Sequence, residues 1–258
     1  MSEPAAQDLV ARLRAAGCVF AEEEAELLRA AASGPAELDA MVERRAAGLP
    51  LEHVVGWAEF AGLRIEVDGG VFVPRRRTEF LVGRAVALAR PGAVCVDLCC
   101  GSGAAGAVLL ASVPDVEVHA SDIEPAAVRC ARRNIEPRGG RVYEGDLFEP
   151  LPDALRGRVE VLVANVPYVP SEDVALLPPE AREHEPLVAL DGGSDGLDVL
   201  RRVAAEAARW LAPGGRLLVE TSERQAGPAV AAVTAHGLKA EILEDEELCA
   251  TVLVATRP

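Results

Sequence analysis

The sequence predicts an α/β protein in which a parallel sheet, with helices on both faces, follows a small helical unit and a β-hairpin. Three observations predict it. From Ala93 onward, short aliphatic runs alternate with helical stretches, the pattern of a parallel sheet covered on both sides. The first of those runs leads into a glycine-rich turn and a helix start. The residues up to Pro50, by contrast, carry only helical spacing.

In chain order, Leu9, Val10 and Leu13, then Leu27, Leu28 and Ala31, then Leu38, Met41 and Val42 recur at helical spacing, so residues 5–47 read as three short helices. Pro35 suits the first turn of the third helix, Glu37 complements its positive end, and Gly48 and Pro50 stop it. These helices define a first unit, residues 1–50, too small to be a catalytic core. Residues 51–77 change period. From Trp57 to Pro74 apolar and polar residues alternate around turn signals at Ala61-Gly62 and Asp68-Gly69-Gly70, which predicts a β-hairpin connector. Residues 78–258 form the main unit, opening with a helix over 78–89 that Pro91-Gly92 closes. Strands are expected over 93–98, 116–121, from Val142, and over 159–164, 216–221, 239–243 and 249–255. Helices are expected over 104–112, 125–134, 199–211 and 226–235. The last two strands are close enough in sequence to pair antiparallel.

Composition narrows the function. A formal net charge of −15 over 258 residues disfavours a grip on phosphate backbones, which depends on Lys and Arg, and suits a basic partner. Six cysteines without a Cys-x-x-Cys pair read as buried, reduced thiols. The 4 histidines lack metal-ligand spacing, so no metal site is expected. The N-terminus lacks the basic end and apolar core of a signal peptide, and no apolar run approaches the ~20 residues that span a bilayer. A cytoplasmic protein with no membrane partner is expected.

The chemistry concentrates in two segments. Val96–Gly106, VDLCCGSGAAG, is a strand, a glycine-rich turn and a helix start, framed by Asp97 and by Asp122 at the end of the next strand. Glycines let backbone approach a ligand, and an acid in the second place can accept hydrogen bonds from both hydroxyls of a ribose. Gly101-x-Gly103-x-x-Gly106 also matches a dinucleotide fingerprint, so the loop alone leaves an S-adenosylmethionine enzyme and an NAD oxidoreductase both open. Asp146, after the third strand, falls where the adenine end of such a crevice lies. The second segment, VEVLVANVPYVP (Val159–Pro170), ends an aliphatic strand in Asn165-Val166-Pro167-Tyr168 at the ligand-binding edge. Asn165 offers an acceptor and a donor, Pro167 a fixed backbone, and Tyr168 a flat ring. Together they suit a planar nitrogen held with its lone pair aimed at a sulfonium methyl, a reaction that needs alignment more than acid–base power.

These residues resemble the HemK/PrmC family of protein-(glutamine-N) methyltransferases over nearly the whole chain. The connector Pro50–Glu79, the stretch His184–Val203 (HEPLVALDGGSDGLDVLRRV) and Leu211–Thr221 (LAPGGRLLVET) take part in the resemblance with the two segments above. It implies a class I, seven-stranded Rossmann-like fold, S-adenosylmethionine as cofactor, and a glutamine side-chain amide of a protein as acceptor, with a translation factor or ribosomal protein as partner. It implies that Asn165, Val166, Pro167 and Tyr168 hold the acceptor, with Asn165, Pro167 and Tyr168 as the catalytic set. The cofactor contacts it implies are Asp97, Cys99, Cys100, Gly101, Ser102, Gly103, Asp122, Asp146, Leu147 and Asn165. Two departures stand out. Val166 replaces the family's usual proline, which keeps the carbonyl but restores an N–H and loosens the turn. Cys99 and Cys100 replace a glycine and a small polar residue, which excludes a positive-φ requirement at position 99 and makes both packing residues rather than nucleophiles. The rival readings are a methyltransferase acting on exocyclic amines of nucleic acid, which needs a cationic groove, and a cofactor-binding module without turnover.

Overall fold

The computed structural model describes residues 3–258. Four helices come first: α1 (Glu3–Ala15), α2 (Ala21–Ala31), α3 (Pro35–Ala46) and the short α4 (Leu51–Val55). Leu13, Leu28 and Val42 are wholly buried between them, and Val54 of α4 closes the same core. The stretch read as a hairpin connector therefore opens with a helical turn.

The hairpin follows as β1 (Trp57–Phe60) and β2 (Leu63–Glu66), paired antiparallel. Ala61 and Gly62 between them both have positive φ, 48° and 76°, as a two-residue type I′ turn requires. Phe60, Ile65, Val67, Val71 and Val73 do not face the helical unit. They form one core with residues of the next three helices, α5 (Thr78–Leu88), α6 (Ala104–Ser112) and α7 (Pro125–Ile135). The connector is thus welded to the main unit.

That unit contains β3 (Val94–Leu98), β4 (Glu117–Asp122), β5 (Arg141–Glu144) and β6 (Val159–Ala164), then α8 (Pro179–His184), α9 (Asp198–Trp210), β7 (Leu211–Thr221), α10 (Ala226–Thr234), β8 (Lys239–Asp245) and β9 (Ala250–Thr256). The seven strands lie in the order β5-β4-β3-β6-β7-β9-β8, parallel except that β9 runs antiparallel to β7 and β8. Every residue of β3 is buried because helices cover both faces. Alternation sends Val94, Val96 and Leu98 into one core and Cys95 into the other. α9 buries Leu200, Val203, Ala204, Ala207 and Trp210, the single stripe of an amphipathic helix.

Three local features differ from the sequence expectation. β7 begins at Leu211 rather than Arg216, because Leu211 pairs with Val159 across an irregular register. α4 and α8 are too short to show a period. No helix among the described residues is long and apolar enough to cross a membrane.

Candidate active site

The carboxyl ends of β3, β4 and β6 meet where the strand order changes direction, β3 leading to β4 and β5, and β6 leading to β7. Ligands of open α/β sheets bind at such a switch point. A cavity of about 330 Å3 opens there. Asp97, Cys99, Cys100, Gly101, Ser102, Asp122, Asn165, Val166, Pro167 and Tyr168 all line it, so residues chosen from two distant segments come together.

On one side the chain leaves β3 through a loop of alternating handedness. Cys99, Gly101 and Gly103 have φ of 53°, 53° and 79°. The expectation that cysteine excludes a left-handed residue at position 99 is therefore wrong. The turn from strand to helix demands that conformation, which costs a side-chain-bearing residue roughly 1–2 kcal/mol, and the buried loop enforces it. Burial also pushes the Cys99 and Cys100 thiols well up, with Asp122 and Asp97 adding to the effect, so both are neutral. They serve as packing groups.

Asp122 is fixed by two backbone donors. The N–H of Gly101 donates to its Oδ2 at 2.8 Å and that of Glu124 to its Oδ1 at 2.9 Å. Burial raises its pKa, with the Glu124 and Gly101 donors opposing. A carboxylate has about four lone-pair sites, so acceptor capacity remains for a diol. Asp97 is buried at the cavity wall, and its Oδ2 accepts from the N–H of Gly106 at 3.0 Å. Burial pushes it up to about 7, against the Gly106 donor and with the Asp122 charge adding.

Gly103, Asp146 and Leu147 stand apart from the cavity wall. A Cβ on Gly103 would meet Ile135 at 2.9 Å, so its place is the contact of α6 with α7. The Asp146 carboxylate is paired with Arg202 of α9. Leu147 is buried, and its carbonyl accepts from the Ser121 hydroxyl at 2.7 Å, while Gly145 N–H donates to the Asp122 carbonyl at 3.0 Å. This loop braces Asp122 from behind.

On the other side, β6 delivers Asn165–Tyr168. Val166 is 2% exposed, its side chain set in the main core, which offsets part of the freedom gained with the proline's loss. The turn rests on Asp191–Asp198. Val169 exchanges ladder bonds on either side of Asp191, its N–H donating to the Leu190 carbonyl at 3.0 Å and its carbonyl accepting from the Gly192 N–H at 2.8 Å. A Cβ on Gly192 would lie 2.6 Å from the Pro167 carbonyl oxygen, so only glycine allows this approach. Gln225 Nε2 donates to the Tyr168 carbonyl at 2.9 Å. The Tyr168 hydroxyl donates to Glu220 Oε1 at 2.9 Å and accepts from Arg77 Nη2. Burial and the Glu220 charge push the phenol well above its ordinary range against the pull of Arg77, so it stays protonated and is no base.

The outer wall comes from Phe72 and Pro74 of the connector and from Leu177–Leu190. Two ion pairs seat it. Glu185, with no exposed side-chain surface, accepts from Arg75 Nη2 at 2.6 Å and from the Val73 N–H at 3.1 Å. Arg45 of α3 bridges Glu24 of α2, at 2.6 Å, to Glu180 of α8. Arg75, Arg77, Glu185 and Glu220 fall in stretches that take part in the resemblance but had no role assigned there, and Gln225 falls outside them. The contacts they make with one another, with Tyr168 and with Val73 span 52 to 143 residues, and no local spacing reports such contacts.

Comparison with known proteins gives the family and the fold. A model of the methyltransferase small domain matches residues 65–176. The chain is 43% identical over 197 residues to the release factor glutamine methyltransferase of Geobacter sulfurreducens, covering 74% of this chain and 68% of that protein. It is 39% identical to a 4-amino-L-phenylalanine/4-methylamino-L-phenylalanine methyltransferase of Streptomyces pristinaespiralis, covering 76% of this chain and 69% of that one. A methyltransferase structure from Pyrococcus furiosus superposes with a TM-score of 0.59 at 17% identity, over 85% of this chain and 97% of that one, and so shares the fold. With the turn, the loop and this kinship in view, the chain belongs to the release factor glutamine methyltransferase family, whose membership makes it an enzyme and implies S-adenosylmethionine as the methyl donor.

Proposed function

We propose that this enzyme transfers a methyl group from S-adenosylmethionine to the side-chain amide nitrogen of a glutamine in a protein. The observation that carries the proposal is the Asn165–Tyr168 turn lining one cavity with the Cys99–Ser102 loop and Asp122. The cavity fits the cofactor. Asp122 offers lone pairs to a ribose, Asp97 a carboxylate to an ammonium, and Gly101 has open space about its Cα. When bound, S-adenosylmethionine supplies a methyl on a positively charged sulfur, a leaving group that needs no acid.

The chain's own residues then align the acceptor. Asn165 Oδ1 and the Val166 carbonyl take the two amide hydrogens, which fixes the nitrogen, and Pro167 keeps the backbone from turning away. Tyr168 presents its ring to the acceptor while its hydroxyl is held elsewhere. Phe72, Pro178 and Leu190 shut out water.

The protein acceptor is supported by the wall itself. Leu176 and Leu187 are 79% and 59% exposed beside the cavity residues Leu177 and Val188, an apolar rim suited to a macromolecule. Residues 1–50 act as the substrate-binding unit, 51–77 as connector and 78–258 as the methyltransferase unit. A net charge of −15 favours a basic acceptor, a release factor or ribosomal protein met in the cytoplasm. The test incubates the enzyme and methyl-labelled cofactor with lysate from a strain lacking the gene. Label should enter a protease-sensitive, nuclease-resistant band that yields N-methylglutamine. A dialysable labelled product would favour the second reading, a small aromatic amine, which the Streptomyces pristinaespiralis relative and the Val166 departure suggest.

A further inference from the structure

We propose that Arg77 and Glu220 are positioning residues for methyl transfer, acting through Tyr168 to hold the acceptor turn where Asn165 needs it. The proposal rests on the reading of Asn165–Tyr168 as the acceptor site.

The need for such a device follows from Val166. A proline there would fix one φ and remove one donor; valine does neither. The turn faces the cavity on one side, and its backbone is anchored on the other by Gly192 and Gln225. The long Tyr168 side chain needs its own anchor, and three charged or polar groups supply it. Glu220 sits near the end of β7, between β6 and β9, with a side chain 2% exposed. Its Oε1 accepts from Arg77 Nε at 3.0 Å and from the Tyr168 hydroxyl at 2.9 Å, and Arg77 Nη2 closes the triangle by donating to the same hydroxyl. Glu220 Oε2 is buried with no partner among the described residues.

A buried carboxylate with one unsatisfied oxygen is a poor stabiliser, and an apolar side chain of similar volume commonly does as well or better. What the pair supplies is direction. Arg77, at the start of α5, is half-exposed and lines the cavity, while Glu220 belongs to the rigid sheet. The phenol is therefore tied at once to the helix on the near side and to the strand behind. An ångström of drift in the turn would misplace the acceptor nitrogen, and such misplacement costs on the order of a hundredfold in rate.

The chain has only two tyrosines, Tyr143 and Tyr168, so tyrosine labelled with 13C at Cζ gives two resonances that Tyr143→Phe assigns. Glu220→Gln should move the Tyr168 resonance, with the cofactor's Kd changed less than about twofold. This arm needs no acceptor. With a purified peptide-chain release factor as methyl acceptor, Glu220→Gln should lower kcat about tenfold or more, and Arg77→Lys, which keeps charge but not the two-armed contact, should fall between. In a Tyr168→Phe background, Glu220→Gln should cost nothing further. An unmoved Tyr168 resonance, or the same loss with and without the phenol, would overturn the proposal. Full activity of Asn165→Ala would instead overturn the acceptor-site reading, leaving the resonance arm to judge the clamp.

Discussion

The two sides of the cavity are built by different means. The cofactor side is local: Asp97 to Gly106 is one strand, loop and helix start, and Asp122 is reached by pairing β3 directly with β4. Its functional groups are backbone N–H groups and two carboxylates, fixed by the dihedral angles of a short loop. The acceptor side is assembled from afar. It draws on the connector, the end of β6, the segment Leu177–Gly196 and the end of β7, held by ion pairs and glycine contacts. Loop geometry suffices for a cofactor shared by many enzymes. An acceptor that differs from one enzyme to the next is met by parts that can be exchanged separately.

If the two sides are separable, variants should affect one and spare the other. The largest effect is expected at Asn165. Asn165→Ala should lower transfer about a hundredfold or more with cofactor affinity nearly unchanged, as read by single-turnover kinetics and calorimetry. Near-normal turnover would make the turn structural. Gly192→Ala should come next. Its Cβ would press on the Pro167 carbonyl at 2.6 Å and the Gly196 carbonyl at 2.7 Å, both backbone atoms that cannot step aside. We expect about 1–3 kcal/mol of lost stability in urea unfolding and impaired transfer, with cofactor binding intact in the folded fraction. Unchanged stability would show that the backing segment yields.

Asp122→Ala tests the other side. Loss of charge-assisted hydrogen bonds to a ribose should weaken cofactor affinity about tenfold, and the fold should survive. An unaltered calorimetric Kd would remove Asp122 from the site. The smallest effect concerns pH. Asp97 is raised to about 7 by burial, whereas an unfolded aspartate titrates near ~4. Between those values the folded state keeps a proton that the unfolded chain has released. The contribution of Asp97 to stability is therefore present below the unfolded value and lost as pH rises through the folded one. Cofactor affinity should run the opposite way, rising from about pH 6 to about pH 8, because only the charged carboxylate attracts an ammonium group. Calorimetry near pH 6 in buffers of different ionisation enthalpy should detect up to about one proton released, and Asp97→Asn should abolish it.

Legibility in the sequence follows the same division. The alternation of β3 to β6 with their helices, the Ala61-Gly62 hairpin and the loop after β3 could be read because each depends on residues a few positions apart. Asn165 and Tyr168 were legible because a proline turn at the end of an aliphatic strand is itself a local signal. Cys99 misled because residue type argued for one hand of the backbone while the enclosing loop imposed the other. Asp146 was placed by analogy with its position in the sheet, and its partner Arg202, 56 residues on, was beyond the reach of local spacing. Arg77 and Glu220 lay in stretches of the resemblance without a role of their own, and Gln225 lay outside them. An arginine opening a helix or a glutamate late in a strand acquires meaning only when the chain has folded around it.

The position of β7 bears on how the chain is made. Synthesis delivers the amino end first, so β3 to β6 emerge from the ribosome before Leu211–Thr221 does. Until then β6 is a free edge, and free edges invite pairing with other chains. The strand that covers this edge also carries Glu220, and Gln225 follows just behind it. A nascent chain released before β7 therefore retains the loop at the end of β3 but lacks both the edge cover and the grip on Tyr168. Cover for the β6 edge and the grip on Tyr168 arrive together, in the same eleven-residue strand.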